Sequence, residues 1–122
     1  MAKSVHNDVL DAALSLVKTN GNLMTVCSAE PTTRAEAVTT YALADVALAP
    51  TDLIISDGDV SGRKLAVAAK NNVLVDSDGT ATHIAIVDGS RLLYVTTCTS
   101  QPLVTGNEVN FPSWDIEIAD PT

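Results

Sequence analysis

Short apolar segments, separated at regular intervals by turn-forming residues, place the strongest constraint on how this chain can fold. They begin after Leu43, and Asp-Gly, Asn-Asn, Ser-Gly and Pro signals stand between them. The segments cover residues 53–55, 65–69, 73–75, 84–87, 92–97 and 116–118. Strands this short and this evenly spaced predict a mainly β domain, an antiparallel β-sandwich or jelly-roll-like arrangement of about seven or eight strands, rather than a parallel α/β sheet.

The N-terminal region has helical rather than strand spacing. Apolar side chains recur near the helical period at Val5, Val9, Ala13, Leu16 and Val17. Ser4 or Asn7 can cap the start of a helix here, and Gly21 follows as a C-terminal stop. These signals predict one N-terminal α-helix over about residues 5–19.

Two further elements are predicted between this helix and the β region. Residues 23–27 form an apolar run that predicts a buried strand. Thr33-x-x-Glu36 has the form of a capping box and favours a second, shorter helix from Thr33. Thr39 and Thr40 are poor helix formers and argue against that helix.

The length of 122 residues fits one hydrophobic core, and no linker, repeat or low-complexity tract divides the chain. We therefore predict a single domain over residues 1–122, with the sandwich over about residues 22–119. Hydrophobic residues make up 46% of the chain, which argues against a disordered protein. No apolar run is long enough to cross a membrane.

The clearest local feature is a hairpin centred on Asp88-Gly89, because these two residues suit the positive φ angles of a type I′ turn. A two-residue turn would pair Ile86 with Arg91 and leave apolar side chains on both faces of the ribbon. A three-residue loop with a bulge would shift every pair. One face can fill the core, whereas the other needs a second cover. The candidate partner interface therefore comprises Ile84, Ile86, Leu93 and Val95.

The last apolar segment has the alternation of a strand that is buried on one face only. Trp114, Ile116 and Ile118 stand on one face of this segment. Asp115 and Glu117 stand on the opposite face. The pattern predicts a strand in an outer part of the sandwich, with its acidic side chains in water.

Charge and composition argue against several classes of partner. The net charge of -8 would repel a phosphate backbone, and aromatic residues, at 3%, offer few surfaces for base stacking. No apolar h-region follows Met1, so we predict no secretory signal and folding in a cytoplasm. A reducing compartment would keep Cys27 and Cys98 as thiols, and their apolar surroundings favour buried, inert side chains over a disulfide or a nucleophile.

Two acidic clusters, Asp57-Gly58-Asp59 and Asp76-Ser77-Asp78-Gly79, look like fragments of calcium-binding loops. A twelve-residue loop that begins at Asp76 would place Val87 where a bidentate Glu is required. Asp, Ser and Gly are also the residue types that tight turns favour, because of the hydrogen bonds and φ angles of the turn. We therefore interpret both clusters as turns.

No motif in the chain carries chemistry at the required spacing. His6 and His83 have no second His or Cys at ligand spacing. Residues 58–64 lack the Walker order, because Arg63 directly follows the second glycine, and no Gly-x-Ser-x-Gly elbow surrounds a serine. The sequence therefore predicts no catalytic, cofactor-binding or metal-binding residue, and no enzymatic activity.

Three stretches resemble a known group of proteins. They are HNDVLDAAL at residues 6–14, DGDVSGRK at residues 57–64, and the region from GTATH at residues 79–83 through the hairpin to WDIEI at residues 114–118. Together they resemble the small virion structural proteins of tailed bacteriophages and prophages. The resemblance spans nearly the whole chain and implies a role, head decoration by a cement protein, without any catalytic residue.

The resemblance also implies a setting and partners. The partner would be the major capsid protein, with homo-oligomer contacts on the particle and with neither nucleic acid nor membrane as a ligand. The chain would be part of a virion that assembles in the host bacterial cytoplasm.

A tail, neck or tail-fibre component has the same sequence features and is the alternative. In a fibre, the aromatic side chains of Tyr41, Tyr94 and Trp114 could stack on a glycan or another receptor. Packing of these rings and of Phe111 in the core is the competing interpretation.

Overall fold

The computed structural model describes residues 5–119, and this part of the chain forms one helix followed by nine strands. Helix α1 spans Asn7–Asn20. The strands are β1 Leu23–Cys27, β2 Ala42–Ala47, β3 Leu53–Asp57, β4 Arg63–Val67, β5 Lys70–Leu74, β6 Gly79–Val87, β7 Leu92–Leu103, β8 Glu108–Phe111 and β9 Trp114–Ile118. A π-helical turn, Glu36–Thr40, and a 3₁₀ turn, Pro50–Asp52, connect neighbouring elements.

Every strand pair is antiparallel. One sheet has four strands in the order β2-β1-β6-β7, a second has three in the order β3-β4-β9, and β5 and β8 form a two-stranded ribbon. The prediction of a mainly β, sandwich-like domain with a single N-terminal helix is confirmed. Strands β2 and β8 were not predicted, because β2 is rich in alanine and β8 is a short, half-polar segment, and both compositions have weak β-propensity.

The main core lies between the two larger sheets and α1. Fully buried aliphatic side chains come from each layer: Leu14 of α1, Met24 of β1, Leu53 of β3, Leu65 of β4 and Ile86 of β6. Strand β9 behaves as predicted, since Ile116 is buried, Trp114 and Ile118 pack against the core, and the side chains between them are exposed. Burial of these aliphatic groups provides the main stabilisation of the domain.

Helix α1 buries a face that overlaps the predicted one only at Val17. Leu10, Leu14 and Val17 point into the core, at the spacing i, i+4, i+7. Val17 belongs to the predicted stripe and is buried, whereas Val9 is 61% exposed and Leu16 is 43% exposed, so most of that stripe faces water. Polar contacts on the core-facing side orient the helix: Arg63 Nε of β4 donates to Asp11 at 2.8 Å, and Lys18 Nζ donates to the carbonyl of Leu53.

The N-terminal cap of α1 is also different from the prediction. His6 is the capping residue, and its Nδ1 accepts a hydrogen bond from the backbone N–H of Asp8 at 3.0 Å. Asn7 is the first helical residue, and Ser4 lies outside the described residues. Gly21 ends the helix as predicted, with its N–H donating to the carbonyl of Val17 at 2.7 Å.

The hairpin between β6 and β7 forms, but its turn is not of type I′. Val87 pairs with Leu92 and Ile86 with Tyr94, so a four-residue loop and a bulge replace the predicted two-residue turn. Neither Asp88 nor the glycine after it has positive φ.

The Asp88 side chain explains this turn. Its Oδ1 accepts hydrogen bonds from the N–H groups of Ser90, at 2.8 Å, and Arg91, and its Oδ2 accepts one from Arg91 Nε at 2.7 Å. A carboxylate that satisfies two backbone donors stabilises a tight loop without positive φ. The same donors, first of all the Ser90 N–H, lower the pKa of Asp88.

The chain itself covers the second face of the hairpin. Ala85 and Val87 of β6 pack against Ala37 in the π-helical turn and form a small second core. Arg34 Nε donates to the Asp88 carbonyl at 2.7 Å and ties this cover to the hairpin loop. The helical segment predicted from Thr33 therefore exists as a short turn whose role is to bury the outer face of β6.

The assignment of residues to the core predicts that alanine substitution at two isoleucines, one buried and one exposed, will lower the free energy of unfolding by very different amounts. Ile86→Ala removes a fully buried side chain and should lower the free energy of unfolding by about 2–5 kcal/mol. Ile54→Ala is the matched control, because Ile54 is 61% exposed, and its effect should stay within about 0.5 kcal/mol. Urea denaturation of both variants measures the difference. Equal effects would contradict the assignment of β6 to the core.

The hairpin loop predicts a dependence of stability on pH. Because the pKa of Asp88 is lowered in the fold, its contribution is present above about pH 4, the unfolded value, and is lost as the pH falls through the lower folded pKa. Asp88→Asn should therefore lower the melting temperature at pH 7 and reduce the loss of stability between neutral and acidic pH. Glu108→Gln, at an exposed position, is the control. A wild-type pH profile in Asp88→Asn would contradict this role.

Candidate binding seam between two strand edges

The four residues of the predicted interface occupy different surroundings. Ile86 is fully buried in the main core, so its assignment to a partner interface is wrong. Ile84 is 9% exposed and reaches the surface only as the floor of a cleft. Leu93 packs partly buried against the main core, and Val95 packs against the second core on the opposite face. The hairpin therefore uses its apolar faces inside the domain.

The open side of the sandwich lies where two edge strands approach each other. Among the described strands, β7 pairs only with β6, and β9 pairs only with β4, so each is the edge of its sheet. The rings of Tyr94 on β7 and Trp114 on β9 stack at a centroid distance of 5.8 Å and an interplanar angle of 25°. This stack joins the two edges at one position.

Beyond the stack the two edges leave a cleft, which we call the seam. Its larger part, of about 320 Å³, is lined by Ile84, Thr96, Thr97, Cys98, Thr99, Pro112, Trp114 and Asp115. A second part, of about 220 Å³, extends toward β8 and shares Ile84, Cys98, Thr99 and Pro112 with the first. A bulge in β7 opposite Thr82 lies beside the seam, since three residues of β7 oppose this one residue of β6.

Strand β7 differs from the other edge strands in its charge. Its twelve residues, Leu92–Leu103, contain no charged side chain. The other edge strands described between residues 5 and 119 all carry one: Asp45 in β2, Asp57 in β3, Lys70 in β5, Glu108 in β8, and Asp115 and Glu117 in β9. Charges on an edge discourage pairing with another strand, so β7 is the edge that this protection leaves open.

The indole of Trp114 has an unsatisfied donor. Its Nε1 is buried and has no hydrogen-bond partner among residues 5–119. Such a donor costs free energy in a folded protein. Tyr94 and Trp114 also pack against the main core, and each ring uses one face on the other. The arrangement is therefore a closing contact of the sandwich rather than an open platform for a sugar ring.

The two thiols differ in exposure. Cys27 is buried in β1, whereas Cys98 is partly exposed and lines the seam. Both are free cysteines, and burial raises the pKa of each thiol. The prediction of two buried thiols therefore holds for Cys27 but not for Cys98.

Basic side chains within residues 5–119 all donate to acceptors of the chain itself. The pairs are Lys18 with the Pro50 and Leu53 carbonyls, Arg34 with the Asp88 carbonyl, Arg63 with Asp11 and Asp57, Lys64 with Asp59, Lys70 with Asp52, and Arg91 with Asp88. The described cations are therefore paired with acceptors of the same chain. The surplus negative charge of the chain therefore remains available to the surroundings.

The two acidic clusters serve as structural acceptors in turns. Asp57 binds Arg63 at 2.6 Å, and Asp59 binds Lys64 at 2.7 Å. Asp78 accepts hydrogen bonds from the N–H and hydroxyl of Thr105. No group of three or more His, Cys, Asp or Glu side chains suited to a metal ion occurs in the described part of the chain.

Asp76 has a carboxyl neighbour rather than a cation. Its side chain lies beside that of Asp45, and desolvation, followed by the charge of Asp76, raises the pKa of Asp45. The two groups form a pair at the β2 edge of the four-stranded sheet, away from the seam. No third ligand from residues 5–119 joins them.

The remaining candidate residues also have structural positions. His83 Nδ1 lies 2.8 Å from the hydroxyl of Thr82, in the middle of β6. Residues 58–62 form the turn between β3 and β4, as predicted, and Gly62 adopts a φ of 71°. A side chain at Gly62 would also overlap the carbonyl of Ile118, so this position requires glycine.

Because the indole N–H of Trp114 has no acceptor in the described part of the chain, replacing Trp114 with another aromatic residue should cost little stability. Trp114→Phe keeps a ring against Tyr94 and removes a donor that has no acceptor, so the free energy of unfolding should change by less than about 1 kcal/mol. Trp114→Ala also removes the ring contact and should cost about 2–4 kcal/mol. Thermal and urea unfolding of the two variants provide the measurement. A loss for Trp114→Phe as large as that for Trp114→Ala would contradict this expected tolerance.

Comparison with known proteins provides no relative from which a role for the seam could be transferred. No family model matches the chain, and no curated protein or solved structure matches it significantly. None of the helices between residues 5 and 119 has the length and apolar character that a membrane crossing requires.

Proposed function

We propose that this chain is a structural protein of a tailed-phage virion, and specifically a capsid decoration protein that binds the outside of the assembled head. The observation that carries the proposal is the uncharged edge of β7, which stays open in a domain whose other edges are charged. The three stretches that resemble small virion proteins supply the biological setting.

An open edge beside a cleft suits a protein that acts by binding. Among the described residues that line the seam, the only carboxylate is that of Asp115, and the other lining groups are aliphatic, aromatic, hydroxyl, amide or thiol. Such a surface offers backbone hydrogen bonds and an apolar pocket to a partner segment. A decoration protein bound between capsid subunits would add interface area to the closed shell and lower its free energy.

The position of the contact differs from the one expected from sequence. The hairpin was expected to present an apolar face to the capsid, but its outer face packs against Ala37. The seam replaces it as the contact surface. Because Asp115 lies at the seam and the chain has a net charge of -8, we expect binding to weaken with added salt but to persist through its apolar part.

A tail or neck protein is the second candidate, because an open strand edge would equally suit a neighbouring subunit there. Copy number separates the two locations: head decoration requires hundreds of copies per particle, whereas a tail or neck component requires tens at most. The glycan-binding form of this alternative is less favoured, since Tyr94 and Trp114 stack on each other.

The proposal predicts a protective effect on assembled heads. Decorated particles should survive heating or dilution better than particles stripped of this protein, and adding the purified protein should restore the resistance. Binding to assembled shells should exceed binding to free capsid subunits, since a lattice engages several contacts together. Quantitative protein analysis of purified particles and a heat-release assay for packaged DNA provide the two measurements.

An unrelated acidic protein of similar size is the control for non-specific stabilisation in this assay. A few copies per particle, located at the tail or neck, would overturn the capsid assignment in favour of the second candidate.

A further inference from the structure

We propose that the seam binds an extended, positively charged segment of another protein, which adds as a strand to the free edge of β7 and places aliphatic side chains in the cleft. The binding chemistry follows from the residues of the seam, and only the identity of the partner as a capsid protein rests on the proposed function. The occupant is therefore a polypeptide of stated character: extended, aliphatic at alternate positions and basic at its ends.

The backbone of β7 supplies the first part of this site. Strand β7 pairs with β6 on one side, and no backbone hydrogen bond links residues 92–103 to any other described element. Its outward N–H and C=O groups are therefore available to an added strand, except at Pro102, which has no N–H, and within the bulge opposite Thr82. The exposed residues Thr97, Thr99 and Ser100 leave this edge open to solvent.

The cleft supplies the second part. A cavity of about 150 Å³ lined by aliphatic side chains accommodates benzene, so the two parts of the seam, of about 320 and 220 Å³, have room for aliphatic side chains. Alternate side chains of a strand point to the same face and lie about 7 Å apart. An added strand can therefore direct every second side chain toward the floor formed by Ile84 and Pro112.

Charge decides which kind of chain can occupy the seam. Asp115 lines the seam, and Asp59 and Glu117 lie near Asp115. Among these three carboxylates, Lys64 contacts those of Asp59 and Asp115. Because the described cations are committed to the chain's own acceptors, the remaining negative charge favours a partner that brings Lys or Arg. A second copy would bring another net charge of -8 and is disfavoured as the occupant.

The chain contains two internal reporters for this binding. Trp114 is the only tryptophan, and it lines the seam. Cys98 is the thiol that is partly exposed there, whereas Cys27 is buried. A strand in the seam should change the Trp114 emission, reduce its quenching by iodide and slow the reaction of Cys98 with a thiol reagent.

The first experiment uses two end-blocked peptides with the wild-type protein. One has the sequence Lys-Thr-Val-Thr-Val-Thr-Val-Thr-Lys, and the other has Glu in place of both Lys residues. The basic peptide should change the emission of Trp114 and protect Cys98, and the acidic peptide should bind about tenfold more weakly at low salt. Equal binding of both peptides would overturn the charge assignment. Binding of neither at millimolar concentration would overturn the site.

The second experiment changes the charge of the edge at one exposed position. Thr99→Lys should weaken binding of the basic peptide by about three- to tenfold, while Thr99→Glu should keep or increase it. Thr19→Lys, on the exposed side of α1, is the matched control and should bind as wild type. Melting temperatures of the three variants confirm that each is folded. Equal effects of Lys and Glu at this position would contradict a basic occupant.

Assembled heads separate this inference from the proposed function. If wild type binds heads and Thr99→Lys binds them equally well, the seam is not the contact, and the decoration role stands on another surface. If the peptides bind as expected but wild type does not bind heads, the seam is a strand-binding site for a different partner, and the decoration role fails.

Discussion

Residues 84–87 of β6 are buried on both faces of the sheet, and the arrangement of the other layers follows from that requirement. Ile84 and Ile86 need the main core on one side, while Ala85 and Val87 need a separate cover on the other. Within its sheet, β6 lies between β1 and β7. The segment around the π-helical turn covers the outer face of β6, and the hydrogen bond from Arg34 Nε to the Asp88 carbonyl holds it there.

Electrostatics shapes the rest of the surface. The domain has fewer cations than anions, and those described are used as internal ties between elements. Arg63 joins α1 to the β3–β4 hairpin through Asp11 and Asp57, and Lys18 joins the same helix to the start of β3. The exposed ion pairs contribute little stability individually, but they fix the orientation of α1 and leave an acidic exterior. Such an exterior selects partners by charge even where the contact itself is uncharged.

The seam is a consequence of incomplete closure. One aromatic stack links the edges of the two sheets. Strand β9 begins at the stack, with Trp114, whereas β7 continues from Tyr94 to Leu103, and Pro112 in the connection between β8 and β9 lines the cleft beyond the stack. The orphaned indole N–H of Trp114 belongs to the same region.

The sequence by itself determined the mainly β class, the N-terminal helix, the strand at residues 23–27, the one-sided burial of β9 and the turn at residues 58–62, because each depends on local spacing and turn chemistry. Tertiary structure alone decided which face of α1 is buried, how the hairpin is registered and which strands are edges. Val9 and Leu16 have helical spacing too, but the packing of Leu10 and Leu14 in the core, together with the contacts of Asp11 and Lys18, leaves them in water. The seam depends on the order of strands within two separate sheets, and that order is set by long-range packing, which no short stretch of sequence records.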